Sequence, residues 1–551
     1  MIQLSIENTG EQFSVPKATQ LDVVLDQSSY SPQLPVLGAR VNNRLREMRS
    51  PVFIDSHVEF IDVTNPDGMR MVQRGLVFLL YIAAKEAFPE RKLKVLHSLN
   101  NALYCELGDW VSENEIRILK EKMRVLVEGD LLFWKEKLDK IVAQRQFQHA
   151  GEWDKVKVFT YRKKSTINIY HCGDSPFTNY FYGYLPRSTG QLRIFDLQTY
   201  NQGFLLVHPT PEFPDRLPTY RPIPKFSQVF LQYQRWGEIL KIESVGDLNE
   251  RIAQGKIKEV IQIAEALHEK KIAMIAEEIS RVSRTKLVLI AGPSSSGKTT
   301  TSKRLQLQMM ANGLRPVAIS MDDFFVERDQ TPRDENGQFD FESIDAIDLD
   351  LFNRTLVQLL DGHEVEMPRF DFRLGKKVPS GHSFRVQKDQ PIIVEGIHGL
   401  NERLTEKIPR EVKFKIYVSA LTQLSIDDVN RIPTTDTRMI RRIVRDHHSR
   451  GHSAIRTIQM WGSVRRGESR FIFPFQEDAD VMFSSALSYE LSILKLFAEP
   501  LLVMINEEDY ENTEAKRLLK FLEYFLPITN IEDVPRNSIL REFIGGSIFE
   551  Y

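Results

Sequence analysis

Apolar residues run without a break through Leu287, Val288, Leu289, Ile290 and Ala291 and again through Ile392, Ile393 and Val394, the pattern of strands buried on both faces of a parallel sheet. After the first run comes a turn rich in glycine and serine, and then residues 301–310, where Leu305 and Met309 recur at helical spacing. Upstream, Ile257, Val260, Ile261, Ala264, Leu267, Ile275 and Ile279 form a helical stripe among lysines and glutamates, which predicts amphipathic connector helices. The apolar run at residues 75–84 is too short to cross a bilayer and reads as a buried helix. Beyond residue 485, Leu491, Leu494, Leu496 and Phe497, then Leu518, Leu519, Phe521, Leu522 and Phe525, predict helices whose stripe packs into a core, with an oligomer surface as the other use. Pro209, Pro211, Pro214, Pro218, Pro222 and Pro224 break the chain between these regions, because proline sustains neither helix interior nor central strand.

The length of 551 residues predicts about three or four folding units. A net charge of -2 gives no global footprint for nucleic acid, although a local basic patch fits within it. Cys105 and Cys172 are the only cysteines, too few for a disulfide framework or a cysteine-based zinc site. The start of the chain lacks a basic segment followed by an apolar one, so a cytoplasmic protein with no membrane association is expected.

The turn itself, Gly292-Pro293-Ser294-Ser295-Ser296-Gly297-Lys298-Thr299-Thr300, is a phosphate cradle in the required setting of strand, loop and helix. Gly292 and Gly297 let the backbone turn so that the amides of Ser294, Ser295, Ser296 and Thr300 can face phosphate oxygens, and the helix N-terminus adds its positive dipole end. Lys298 would reach the β and γ phosphates, and the Thr299 hydroxyl would face Mg²⁺. ATP and Mg²⁺ are therefore the expected cofactors.

From the cradle to about residue 485 the chain resembles the uridine kinase and phosphoribulokinase family. Besides the cradle, the resemblance rests on the stretch from Val317 through Asp322, Asp323, Phe324 and Phe325, and on Phe341 and Glu342 through Asp348. It also rests on Val365 through Phe370, Asp371 and Phe372, on Ile392 through Glu395, and on the arginine-rich segment around Arg441, Arg442 and Arg445. It implies an α/β P-loop kinase with a parallel sheet, in which Asp322 accepts the proton of the acceptor hydroxyl. Asp323 could instead orient Mg²⁺, and Glu395 would contact the metal through water. Residues 421–470 hold ten arginines and no lysine, a bias suited to planar contact with phosphate oxygens. Arg442, Arg445 and Arg450 match the family's arginines and would form a lid over ATP, with Gly451 a flexible or left-handed point beside it and Arg445 neutralising transition-state charge. Asp323, Phe325, Glu342, Phe370 and Asp371 fall on the acceptor side. There the chain departs from uridine kinases: Glu342 replaces an aspartate, Phe370 a tyrosine, Leu374-Gly375 a histidine region, and His452 an arginine. A nucleoside remains the first acceptor, with another sugar or polyol hydroxyl next.

Upstream, Val36 through Glu47 and Val58 through Val63 resemble the β-grasp TGS domain of threonyl-tRNA synthetases, and Gln73 through Leu80 with Tyr170 through Asp174 resemble that enzyme's α+β editing domain. The four metal-ligand positions of that domain correspond to Arg74, Phe78, Asn179 and Gly183, none of which binds a metal. His171 and Cys172 are adjacent on a strand, so they point to opposite faces and do not form a dyad. The expected layout is a TGS-like module at 1–64, an editing-like module at 65–208, a linker with connector helices at 209–280, a kinase domain at 281–485 and a helical extension at 486–551. The resemblance implies a small-molecule hydroxyl acceptor, with RNA or an effector at the N-terminal modules and a homo-oligomer as further partners. An RNA-binding ATPase is the alternative; a guanine-reading Asn-Lys-x-Asp motif is absent, which argues against a GTPase.

Overall fold

The computed structural model of the chain describes every residue except 283, 336, 372, 373, 388, 423 and 551, so Phe372 lies outside the described residues. The first unit is a five-stranded mixed sheet in the order Glu11–Val15, Ile2–Ile6, Ser56–Ile61, Gly38–Val41, Arg44–Glu47, with the helix Leu21–Gln27 packed on one face. Ile2, Leu4 and Ile6 are buried while Gln3 is exposed, as a period of two requires.

The helix Pro66–Ala87 follows, capped by Asn65, whose side chain accepts from the Asp67 amide. Its middle is the expected buried run, and nearly every face is covered because it packs among a four-stranded antiparallel sheet, a helix and a hairpin. The sheet runs Asp196–Tyr200, Gly203–Val207, Ala102–Leu107, Leu93–Leu99, and the hairpin pairs Phe133–Asp139 with Thr166–Cys172. In that hairpin Cys172 is buried while His171 stacks on Trp134 at 3.8 Å, so the two side chains face apart.

Between Val207 and Pro224 the proline-rich segment carries only an isolated bridge of Thr210 with Phe213. Three helices come next, Pro224–Leu240, Val245–Ala253 and Ile257–Arg281. The last is one continuous element of 25 residues, and its Ile272, Ile275 and Ile279 share a core with Val288 and Ile290 of the sheet beyond it. The connector is thus a layer of the following domain.

That domain is built on a five-stranded parallel sheet in the order Val317–Ser320, Ile392–Glu395, Leu287–Ala291, Lys413–Ser419, Val481–Ser484. The cradle strand is central, and all five of its residues are buried. The helices Glu490–Val503 and Asn512–Leu522 belong to the same core, contributing Leu494, Ala498, Leu518 and Phe521, so the C-terminal stripe packs inward. No helix among the described residues is long and apolar enough to cross a membrane.

Candidate active site

The cradle bends at Ser295, with φ 57°, and at Gly297, with φ 80°. Only glycine fits at 292, where an added Cβ would lie 1.9 Å from the Val418 carbonyl oxygen. Buried side chains brace the loop by binding its carbonyls: Arg438 Nε donates to Ser294 O at 2.9 Å, Arg441 to Ser295 O at 3.4 Å, and the Ser485 hydroxyl to Ser296 O. Arg438 pairs with Glu468 and Arg441 with Glu490, so each guanidinium is neutralised behind the loop. These contacts hold three successive carbonyls of the loop in place from behind.

Lys298 is buried at the start of the helix Lys298–Ala311, and its Nζ donates to Pro293 O at 3.2 Å. Burial lowers its pKa, while Glu395, Glu542 and Asp322 pull the other way. The Thr299 hydroxyl donates to both oxygens of Glu395, at 3.2 and 3.3 Å. Burial, together with Asp322 and Glu542, pushes the Glu395 carboxyl up to about 7, against the pull of Lys298. Ser295 Oγ and Ser296 Oγ are buried without a hydrogen-bond partner among the described residues. A lysine held only by a carbonyl, two orphan hydroxyls and a carboxylate short of positive charge fit a phosphate chain accompanied by a divalent cation.

Asp322 lies past the strand Val317–Ser320, in the 3-10 turn Met321–Phe324, where its backbone amide is capped by the Ser320 hydroxyl at 3.2 Å. The residue is exposed, yet atoms crowded around its carboxyl displace water and raise its pKa, while Lys298, Arg450 and Arg445 oppose the shift. Asp323 turns the other way, toward the backbone amide of Phe370. Glu342 packs on Gly467, and burial together with Glu468 pushes its carboxyl up to about 7 while Arg442 and Lys298 act against this. Its Oε2 is buried with no partner among the described residues. Phe325 lies 5.8 Å from Phe370 and 6.4 Å from the exposed Phe341, ring centre to ring centre. Asp371 accepts from the Leu374 amide at 3.0 Å, closing the turn between Glu364–Asp371 and Lys376–Arg385.

The arginine segment differs from the expected lid. It is a helix, Thr434–Arg450, buried from Asp436 through Val444 and again at Asp446, and Gly451 serves as its left-handed cap at φ 64°. Arg442, Arg445 and Arg450 converge on the single buried carboxylate of Asp446, at 3.2, 2.8 and 3.6 Å, and Arg442 also donates to Ser294 Oγ at 2.8 Å. Three guanidinium groups on one carboxylate leave excess positive charge beside the cradle.

Three acidic side chains that the pattern of the sequence did not reveal also touch the loop or its cations. Glu468 accepts from the Ser294 amide at 3.1 Å. Glu542, near the C-terminus, accepts from the Thr300 amide at 3.2 Å and from its hydroxyl at 2.6 Å. Ile539 from the same segment covers Gly297, where an added Cβ would lie 2.6 Å from its Cγ2. Glu490 binds Arg441 at 2.7 Å. The arginine bias marked the region of Glu468, but nothing in the local sequence around Glu542 points 242 residues back to Thr300.

A braced glycine cradle at the centre of a parallel sheet, a carboxylate facing the hydroxyl after its lysine, and an arginine helix alongside define an α/β nucleotide-phosphate site of the P-loop type. Residues 287–491 match the Phosphoribulokinase / Uridine kinase family, and this part of the chain is a domain of that family. The uridine kinase of Chloroflexus aurantiacus is 28% identical over 198 residues, covering 36% of this chain and 85% of that protein. That of Brevibacillus brevis is 29% identical over 197 residues, covering 36% and 83%. The N-terminal region is similar to the threonine--tRNA ligase of Halorhodospira halophila, 28% identical over 161 residues; the match covers 29% of this chain and 25% of the ligase.

Proposed function

We propose that the protein transfers the γ-phosphoryl group of ATP to a hydroxyl of a small molecule, a nucleoside foremost. The observation that supports this most is the meeting of Lys298, the Thr299–Glu395 pair, Asp322 and the Arg442–Arg445–Arg450 cluster around one cradle. The cradle amides with Lys298 bind and orient the phosphates. Thr299 and Glu395 would hold Mg²⁺, which when bound offsets phosphate charge. Asp322 takes the proton of the acceptor hydroxyl as its oxygen bonds to the γ phosphorus, while the bond from that phosphorus to the bridging oxygen of ADP breaks. Arg445 offsets the charge that develops on the transferring group. Phe325, Phe341 and Phe370 offer ring faces on which a planar base can stack, and Glu342 an acceptor for ribose hydroxyls.

The same aromatic side offers no polar group from Phe370 to a base edge, which favours a sugar or polyol hydroxyl as the second reading. A panel of nucleosides, sugars and polyols with ATP and Mg²⁺, read by ADP release, decides between them. Turnover that depends on an acceptor supports the proposal. Turnover stimulated by RNA with no small-molecule acceptor rejects it.

A further inference from the structure

Far from the cradle, cationic side chains converge where the hairpin and central helix of the editing-like region meet the C-terminal helix Asn512–Leu522. Arg74 lies across Gly183, close enough that a Cβ there would come within 1.9 Å of the arginine Cζ, and this guanidinium stacks 5.1 Å from the centre of the Tyr182 ring. Arg162 lies 5.2 Å from the Tyr524 ring and 5.5 Å from that of Tyr180. Lys520 and Lys135 approach the Tyr184 ring at 5.5 and 5.1 Å. Lys135 is matched by Glu47 at 2.6 Å and the neighbouring Lys164 by Glu523 at 2.8 Å. Arg74, Arg162 and Lys520 have no carboxylate at ion-pair distance among the described residues.

We infer that Arg74, Arg162 and Lys520 form a second anion site, built to take a small phosphate-bearing ligand at the seam between the editing-like region and the C-terminal helix. Two buried polar atoms support this: Arg162 Nε and the Tyr524 hydroxyl have no hydrogen-bond partner among the described residues, though Arg162 is only 7% exposed and Tyr524 3%. Burial first, then the positive charges of Arg162, Arg74, Lys135 and Lys164, lower the Lys520 pKa to about 7. The 300 Å³ cavity where Lys92 and Lys94 meet Phe230, Glu243 and Asp428 contrasts with this, because there Lys92 is answered by Asp154 and Asp428 and Lys94 by Glu243. The tyrosine rings add flat faces for the organic part of the ligand, and the enclosure of Arg162 suits a compact ligand better than a strand of RNA, which needs an exposed basic track.

The site is tested on the full chain carrying Lys298→Ala, which removes the cradle lysine, by calorimetric titration with inorganic pyrophosphate. One binding event is expected. Adding Lys520→Gln should weaken it roughly tenfold or more, and Lys520→Arg should keep it. Without ligand, Lys520→Gln should melt at a higher temperature than its parent, because it relieves repulsion; a lysine that merely packs would give the opposite shift. The inference is overturned if pyrophosphate fails to bind the Lys298→Ala protein, if Lys520→Gln binds as well as its parent, or if single-stranded RNA binds there without competition from pyrophosphate.

Discussion

At the scale of single residues, the site is governed by which charges are left unbalanced. Asp322 has cations around it but none hydrogen-bonded to it among the described residues, the state a proton acceptor needs. Asp322→Asn should bind ATP as the parent does and slow transfer by on the order of a hundredfold or more, measured by single-turnover ADP formation. Equal rates would remove Asp322 from the mechanism. Glu395 and Glu342 carry a second expectation. Burial holds both near 7 against an ordinary 4.5, so the folded protein keeps protons that the unfolded chain releases. Their favourable contribution is full below the ordinary value and is lost as pH rises toward about 7. Melting temperature without ligand should therefore fall across that window, and Glu395→Gln with Glu342→Gln should flatten the fall. Mg²⁺-dependent nucleotide affinity should run the other way, rising toward pH 7 as Glu395 ionises, and a pH series of binding isotherms checks this.

At the scale of elements, the cradle was legible because strand, glycine turn and helix are consecutive and their periods differ. The arginine segment was legible only in composition. Its use as a braced wall could not be read, because Arg438 and Arg441 find Glu468 and Glu490 far along the chain, while Arg442, Arg445 and Arg450 share a near neighbour, Asp446. The short helix Arg541–Ile544 is the clearest case of this kind, since Glu542 takes the Thr300 amide that a phosphate would otherwise use. Glu542→Gln keeps the shape and removes the charge, so nucleotide affinity should rise by roughly threefold to tenfold in equilibrium titration. A drop of that size would mean that this carboxylate helps to bind the nucleotide instead.

At the scale of the whole molecule, the N-terminal units are held to the kinase-family domain by buried polar networks. Arg517 binds Asp436 of the arginine helix at 2.6 and 2.8 Å and Glu514 at 2.7 Å, while Glu514 meets Arg70 of the helix Pro66–Ala87 at 3.1 Å. Arg517→Ala leaves Asp436 and Glu514 short of their shared cation and should cost about 3–5 kcal/mol in urea unfolding. What the sequence by itself determined is local: buried strands, the cradle and the proline break, each set by the spacing and chemistry of near neighbours along the chain, while the departures at the acceptor side came from the family resemblance. Only the tertiary structure decided that the connector helix is a layer of the kinase-family core, that Asp322 and Asp323 face apart, and that Glu542 reaches the cradle. It also brought Arg74, Arg162 and Lys520 together. The physical reason is that charge pairing and burial act through space, between residues whose separation along the chain carries no record of their contact.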